Sequence, residues 1–263
     1  MKTIQGFLIA VQFLTAIPIH KNLPMDREYI ERSIRTFPLL GFVQGILYSS
    51  FLFCLVEWTP FSPLAAAFLL WLFTIVFTGG IHLDGWMDGS DAYFSYQQKE
   101  KRLEVMKDPR IGAFGVLSVI VLLSTRFLFI YEITASIHFN SFILILLIPF
   151  LGKSVMGMVL LNVPAAKKDG LAAFFQDASN HRTWKVFPLY LIVLIGISLM
   201  LGKMTVLLFL IFIAVAIGCY YFIRRKTVKW FGGITGDILG AAAEGTENIL
   251  WMTLWLLHYF VMV

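Results

Sequence analysis

The sequence predicts an all-α fold: a polytopic membrane helix bundle of about seven transmembrane helices, preceded by a short N-terminal interfacial or re-entrant helix. Three observations carry this. The 263 residues are 59% hydrophobic and only 14% charged, with a mean hydropathy of +0.80, whereas a soluble domain is roughly 45–50% apolar and about 25% charged. The apolar residues collect in runs of about 16 to 22, the length that crosses about 30 Å of hydrocarbon. The loops between the runs alternate sharply in Lys and Arg, as membrane orientation requires. That alternation accounts for the net charge of +5 without a nucleic-acid partner. The lipid bilayer is the expected partner, and homo-oligomerisation is left open.

Met1 to Ile19 is apolar from Phe7 onward but is interrupted by Gln12 and stopped by Pro18. It is too short for a full crossing and lacks a cleavage site, hence the interfacial or re-entrant helix. Seven longer runs follow: 37–56, 62–81, 112–131, 140–161, 186–201, 204–223 and 247–263. Loops 20–36, 82–111, 162–185 and 224–246 hold most of the 21 basic residues, while 57–61, 132–139 and 202–203 contribute only Lys203. The four basic loops are therefore cytoplasmic and the C-terminus external. The whole chain, 1–263, reads as one integral-membrane domain. Cys54 and Cys219 fall in apolar runs and read as small buried hydrophobes, with no zinc spacing or disulfide framework. Two charges lie within runs. Arg126 is near enough to an outer end to snorkel, and Lys153 borders Gly152 and Ser154, as a residue facing an internal polar cavity would.

The chemistry concentrates on the cytoplasmic side. In His82-Leu83-Asp84-Gly85-Trp86-Met87-Asp88-Gly89-Ser90-Asp91 the aspartates are spaced i, i+4, i+7, which places all three on one helical face. Their mutual repulsion makes sense around a cation, and hard Mg²⁺ takes carboxylate oxygens and shares them with substrate phosphates. Asp84, Asp88 and Asp91 are the expected metal ligands. Downstream, Lys99 to Asp108 reads as a short amphipathic helix on the membrane surface. Lys107-Asp108-Pro109-Arg110-Ile111-Gly112 is a tight turn whose Arg110 suits bidentate phosphate recognition, with Lys107 and Asp108 beside it. The second site is Gly232-Gly233-Ile234-Thr235-Gly236-Asp237, followed by Glu244 and Glu247. Its glycine-rich backbone can present N–H groups to phosphate, so Gly236, Asp237 and Glu244 join the candidate phosphate-binding residues, although the spacing is not that of a Walker loop. The blocks at Gly79 and Gly232 share the pattern G-G-I-x-x-D, and Phe-Pro-Leu recurs at 37 and 187. A parallel repeat of 37–91 and 187–244 would place Asp84 and Asp237 in one cleft.

These motifs resemble the cobalamin synthase family, adenosylcobinamide-GDP ribazoletransferase. The resemblance rests on Phe13-Leu14-Thr15-Ala16-Ile17-Pro18, Phe37-Pro38-Leu39-Leu40-Gly41, Thr78 to Gly85, Met106 to Gly115 and Gly233 to Gly240, so it covers nearly the whole chain. Two departures stand out. Trp86, Met87 and Gly89 occupy places where the family carries small apolar, Ala and Thr residues, and Lys153 stands where Arg is expected. The resemblance implies a membrane-bound, Mg²⁺-dependent transferase of a prokaryotic inner membrane, acting on its cytoplasmic side. A hydroxyl of α-ribazole, or of its 5′-phosphate, attacks adenosylcobinamide-GDP and releases GMP. It also gives Lys153 a phosphate-binding role, makes Asp91 the general base and leaves His82 as the alternative base. The strip distantly resembles the aspartate-rich motif of CDP-alcohol phosphotransferases, without that family's full pattern. The alternative class is a transporter of a divalent cation or an anionic metabolite. It requires acids near the bilayer midplane, whereas every acid in this sequence reads as lying in a loop or at the edge of a span.

Overall fold

The computed structural model describes residues 2–262 as twelve α-helices. They are α1 (Lys2–Leu14), α2 (Arg27–Arg35), α3 (Phe37–Trp58), α4 (Pro63–Thr78), α5 (Ile81–Ser95), α6 (Lys99–Val105), α7 (Ala113–Ala135), α8 (Phe139–Asn162), α9 (Leu171–Ala178), α10 (Val186–Leu201), α11 (Lys203–Phe231) and α12 (Gly236–Phe260). A 3₁₀ turn, Thr183–Lys185, leads into α10. No strand occurs among the described residues, where the only β-type pairing is one isolated bridge between Ala165 and Ile234.

Five of the expected runs appear as helices long and apolar enough to cross a membrane: α3, α7, α8, Thr183–Leu201 and α11. The other two differ from expectation. The run at 62–81 is broken, because Gly79 (φ 62°) and Gly80 (φ 74°) both take the left-handed region, which glycine enters without a Cβ penalty. The chain therefore turns through 86° between α4 and α5. α5 therefore runs nearly perpendicular to α4, so the aspartate strip is presented across the axis of α4 rather than along it. Ala16 packs on Gly79 and its N–H donates to the Phe77 carbonyl at 2.9 Å, so the chain leaving α1 buttresses the bend. The last expected run, 247–263, is only the C-terminal part of α12, which starts at Gly236 and carries Asp237, Glu244 and Glu247 along its first turns.

The core is built around α8. Of its apolar stretch, 78% lies inside the protein, against 11% for Thr183–Leu201, so α8 is central and α10 faces outward. The α3–α8 crossing is close because Gly41 and Gly45, one turn apart, lie on the α8 backbone at Leu146, Pro149 and Phe150. Small residues spaced this way let membrane helices approach without an intervening side chain. A Cβ at Gly45 would collide with the Leu146 carbonyl, so Gly45→Ala should lower stability by about 1–3 kcal/mol, read as a fall in midpoint in detergent thermal unfolding. Arg102 belongs to the segment read as an amphipathic helix on the membrane surface. Instead it is buried, donating to the carbonyls of Tyr96 (2.6 Å), Trp230 (3.0 Å) and Tyr93 (3.1 Å) with its guanidinium over the Tyr93 ring. It clamps the end of α5 to the end of α11.

Candidate active site

The acid strip of α5 meets the start of α12. A Cβ placed on Gly85 would stand 2.8 Å from the Asp237 Cα, and one on Gly240 3.1 Å from the His82 Cα. The two helices thus touch backbone to backbone at their glycines. That contact brings Asp237 to Asp84 and Asp88. Burial, reinforced by Asp84, Asp237 and Asp91, pushes the Asp88 carboxyl up from 3.8 to about 6. Burial also raises Asp237, an effect that Asp84 adds to and that Thr235 and Lys167 oppose. Among the described residues no ion pair within 4 Å reaches any of the four aspartates, so their repulsion is only partly offset.

Two lysines edge this cluster. Lys167 was read only as a topology marker, yet burial and the proximity of Lys107 lower its pKa while Asp237 and Asp169 hold it up. Its Nζ donates to the Leu103 carbonyl at 3.2 Å. The loop that carries it is tied to the glycine-rich loop: the Ala166 N–H donates to the Ile234 carbonyl (2.8 Å) and the Ile234 N–H to the Pro164 carbonyl (2.9 Å). No local sequence signal links 166 to 234, which is why this residue is invisible to motif reading. Asp91 lies at the other edge, its carboxylate set against Gly112 so closely that any Cβ there would overlap it. Gly112 caps α7. In the turn before it, the Arg110 backbone N–H and guanidinium both donate to Asp108 (3.1 and 2.9 Å), which holds the Asp108 carboxyl down at about 2. Lys107, Asp108 and Arg110 lie in the turn that ends at Gly112, and Arg110 is already engaged by Asp108.

The donor set suits a hard cation, since carboxylate oxygens are what Mg²⁺ and Ca²⁺ take. It is not a preformed cage: among the described residues no three His, Cys, Asp or Glu side chains close around one point. The i, i+4, i+7 spacing put Asp84, Asp88 and Asp91 on one face, but the rise along α5 separates their carboxylates. Mg²⁺ is usually held by one or two carboxylates with substrate phosphates completing its shell, so Asp84 and Asp88, with Asp237 opposite, fit a cation shared with a ligand. The raised Asp88 pKa makes this measurable without substrate. A carboxyl with a folded pKa above its unfolded value penalises the folded state once ionised, and the penalty grows from about pH 4 to about pH 6. The melting temperature at low divalent-cation concentration should fall across that window, and millimolar Mg²⁺ should recover more of it above pH 6 than below pH 4.

Other expected site residues lie elsewhere. His82 is buried and neither ring nitrogen has a hydrogen-bond partner among the described residues. It lines a cavity of about 60 Å³ with Phe13, Phe175 and Gly236, beneath Gly240 and away from the exposed face of Asp84. In the glycine-rich loop, the N–H groups of Gly232, Ile234 and Ile238 already bond to Val228, Pro164 and Thr235, so less of that backbone is free for phosphate than its composition indicates. Arg126 does not snorkel. It turns inward to Glu244 at 2.7 Å, both side chains under 5% exposed. Lys153 pairs with Glu247 at 3.0 Å and is fully buried. Glu244 and Lys153 are thus bonded inside the bundle rather than displayed at the aspartate cluster. The expectation that every acid sits at a loop or span edge fails for Glu244 and Glu247, because each has a cation on a neighbouring helix to offset its burial.

Fold and site together define a multi-pass helical membrane protein with an acidic, lysine-edged cleft where two glycine-led helices meet. The chain belongs to the cobalamin-5-phosphate synthase family, whose profile matches residues 6–255. Similar proteins include an adenosylcobinamide-GDP ribazoletransferase of Geobacillus sp. (strain WCH70), 40% identical over 264 residues and spanning 98% of both chains. Proteins of the same name from Halalkalibacterium halodurans (34% over 253 residues, 96% of this chain and 95% of the relative) and Acinetobacter baumannii (33% over 269 residues, 98% and 99%) are also similar. No solved structure matches.

Proposed function

We propose that this protein is an adenosylcobinamide-GDP ribazoletransferase that joins adenosylcobinamide-GDP to α-ribazole, or to its 5′-phosphate, at the cleft between α5 and α12. The observation that carries the reading is the convergence of Asp84, Asp88 and Asp237 across the Gly85 contact. The full-length similarity to proteins of that name supports it. The site faces the cytoplasm of a bacterial inner membrane, the side to which the basic loops assign it.

A hydroxyl of α-ribazole attacks the phosphorus that carries cobinamide. The bond from that phosphorus to the bridging oxygen breaks, GMP leaves, and a phosphodiester forms. Phosphoryl transfer asks the protein chiefly for positioning and charge neutralisation. When bound, Mg²⁺ supplies the charge that offsets the diphosphate and its leaving group. Asp84 and Asp88 would hold that cation, with Asp237 across the cleft from them. Lys107 and Lys167 receive the outer phosphate oxygens. Asp91, set apart over Gly112, takes the proton of the attacking hydroxyl. The helices that follow the two Gly-Gly-Ile blocks meet at Gly85 and Gly240, as a duplicated 37–91 and 187–244 unit would have them do, and that duplication is part of the proposal. The test is incubation of purified protein with adenosylcobinamide-GDP, α-ribazole and Mg²⁺. GMP should appear in step with the joined corrinoid, and its absence with a folded protein contradicts the reading.

A further inference from the structure

Between α5, α7, α11 and α12 lies a cavity of about 860 Å³, and a second of about 320 Å³ lies toward the end of α11. Their walls share Trp86, Ser90, Phe94, Phe222, Ile223 and Ala241, so the two form one continuous groove. On α11 its lining runs from Val215 to Phe231 and passes Lys226. At 1.5 Å per residue Val215 lies about 16 Å from Lys226, close to the half-thickness of the hydrocarbon, about 15 Å. The groove therefore has the depth of one leaflet, and it ends on the side that the basic loops assign to the cytoplasm. Lys226 is the one charged residue on either wall. Its ammonium lies 5.5 Å from the Phe222 ring and 5.1 Å from the Trp230 ring. Among the described residues no ion pair within 4 Å reaches it. Arg224, Arg225 and Lys229 stand on the same helix end, and no Asp or Glu occurs between Asp177 and Asp237. Trp86, on the wall common to both cavities, has its indole nitrogen buried and without a hydrogen-bond partner among the described residues. Its benzo edge abuts Gly245, which turns the Nε1 edge away from α12.

We propose that this groove seats one phospholipid of the cytoplasmic leaflet with an anionic headgroup, its phosphate at Lys226 and one acyl chain along the larger cavity. The inference stands apart from the reaction proposed above. Basic pockets between membrane helices on the cytoplasmic side take anionic headgroups, and neither wall carries a carboxylate that would compete for the lysine. A buried N–H without an acceptor is costly, and a glycerol ester carbonyl, between headgroup and chain, supplies one to Trp86. Most of the remaining lining suits methylenes. The hydroxyls of Ser118 and Thr125 are spent on their own helix, donating to the carbonyls of Gly115 and Val121. Asn248 Oδ1 is the other unpartnered polar atom of the lining. It lies about 10 Å beyond Ala241 along α12, and it asks for a single water rather than for the lipid.

The test is native mass spectrometry of the whole protein after exchange into equimolar phosphatidylglycerol and phosphatidylcholine. Wild type should keep one lipid per chain. Phosphatidylglycerol should exceed phosphatidylcholine at least about fivefold, the effect of one basic residue near an anionic headgroup. Lys226→Gln should lose that preference, whereas Arg224→Gln, at the same helix end but off the groove's lining, should keep it. Gly218 lines the larger cavity and has open space where a Cβ would stand, so Gly218→Phe should evict the chain and leave no lipid of either kind. That variant tests the seat from its apolar end should Lys226→Gln not fold. Equal retention of the two lipids by wild type, or an equal loss of preference in Lys226→Gln and Arg224→Gln, overturns the proposal. Undiminished retention in Gly218→Phe puts the lipid elsewhere on the surface and overturns it too.

Discussion

Asp84→Asn and Asp88→Asn should each lower the rate of GMP release by at least about 100-fold while leaving the protein inserted and folded. Each change removes one of the charges that would hold the cation against the diphosphate, an effect of several kcal/mol, and about 1.4 kcal/mol is a tenfold change in rate. Folding should improve slightly, because Asp88 is pushed up to about 6 by burial and by its carboxylate neighbours and losing one charge relieves that repulsion. Asp91→Asn should slow turnover without changing the Mg²⁺ dependence, as fits a proton acceptor set apart over Gly112. Rates at saturating substrate and a melting curve for each variant separate these outcomes. Wild-type turnover in both of the first two variants would reduce the strip to a solvated helix face.

The second large effect concerns stability. Lys153→Met and Glu247→Leu each strip one partner from the buried Lys153–Glu247 pair and leave a lone charge inside the bundle. Breaking such a pair costs about 3–5 kcal/mol. Replacing both partners, as in Lys153→Met with Glu247→Leu, removes the orphan and should recover most of the loss, because well-packed apolar residues often match a buried pair in stability. Thermal unfolding of the two single variants and the double variant forms the check. A double variant no better than either single would mean that the pair contributes more than charge compensation, for instance by fixing the depth of α12.

The strip on α5 was legible because repelling carboxylates at helical spacing have few structural uses, and because it follows an apolar run whose length announces it. The bend that turns it across the axis of α4 was not. Residues 62–81 read as one uninterrupted apolar run, and the turn depends on left-handed backbone at Gly79 and Gly80, which hydropathy does not register. The start of α12 was misplaced for a related reason. Hydropathy counts Glu244 and Glu247 as costs and so begins the last span after them, whereas Arg126 and Lys153 offset them from α7 and α8. Pairings across 118 and 94 positions leave no local trace. Arg102 and Lys167 were missed likewise, since their partners, the Trp230 carbonyl and the loop around Asp237, lie far along the chain.

The central claim, that the α5–α12 cleft holds a divalent cation together with the substrate diphosphate, is tested most directly by electron paramagnetic resonance of Mn²⁺ standing in for Mg²⁺. Titrated into wild-type protein with adenosylcobinamide-GDP and no α-ribazole, Mn²⁺ should be immobilised at one site per chain. Far less should be held when substrate is omitted, since the described residues form no carboxylate cage, and Asp84→Asn and Asp88→Asn should lose the bound signal. An undiminished bound signal in both variants would contradict the account.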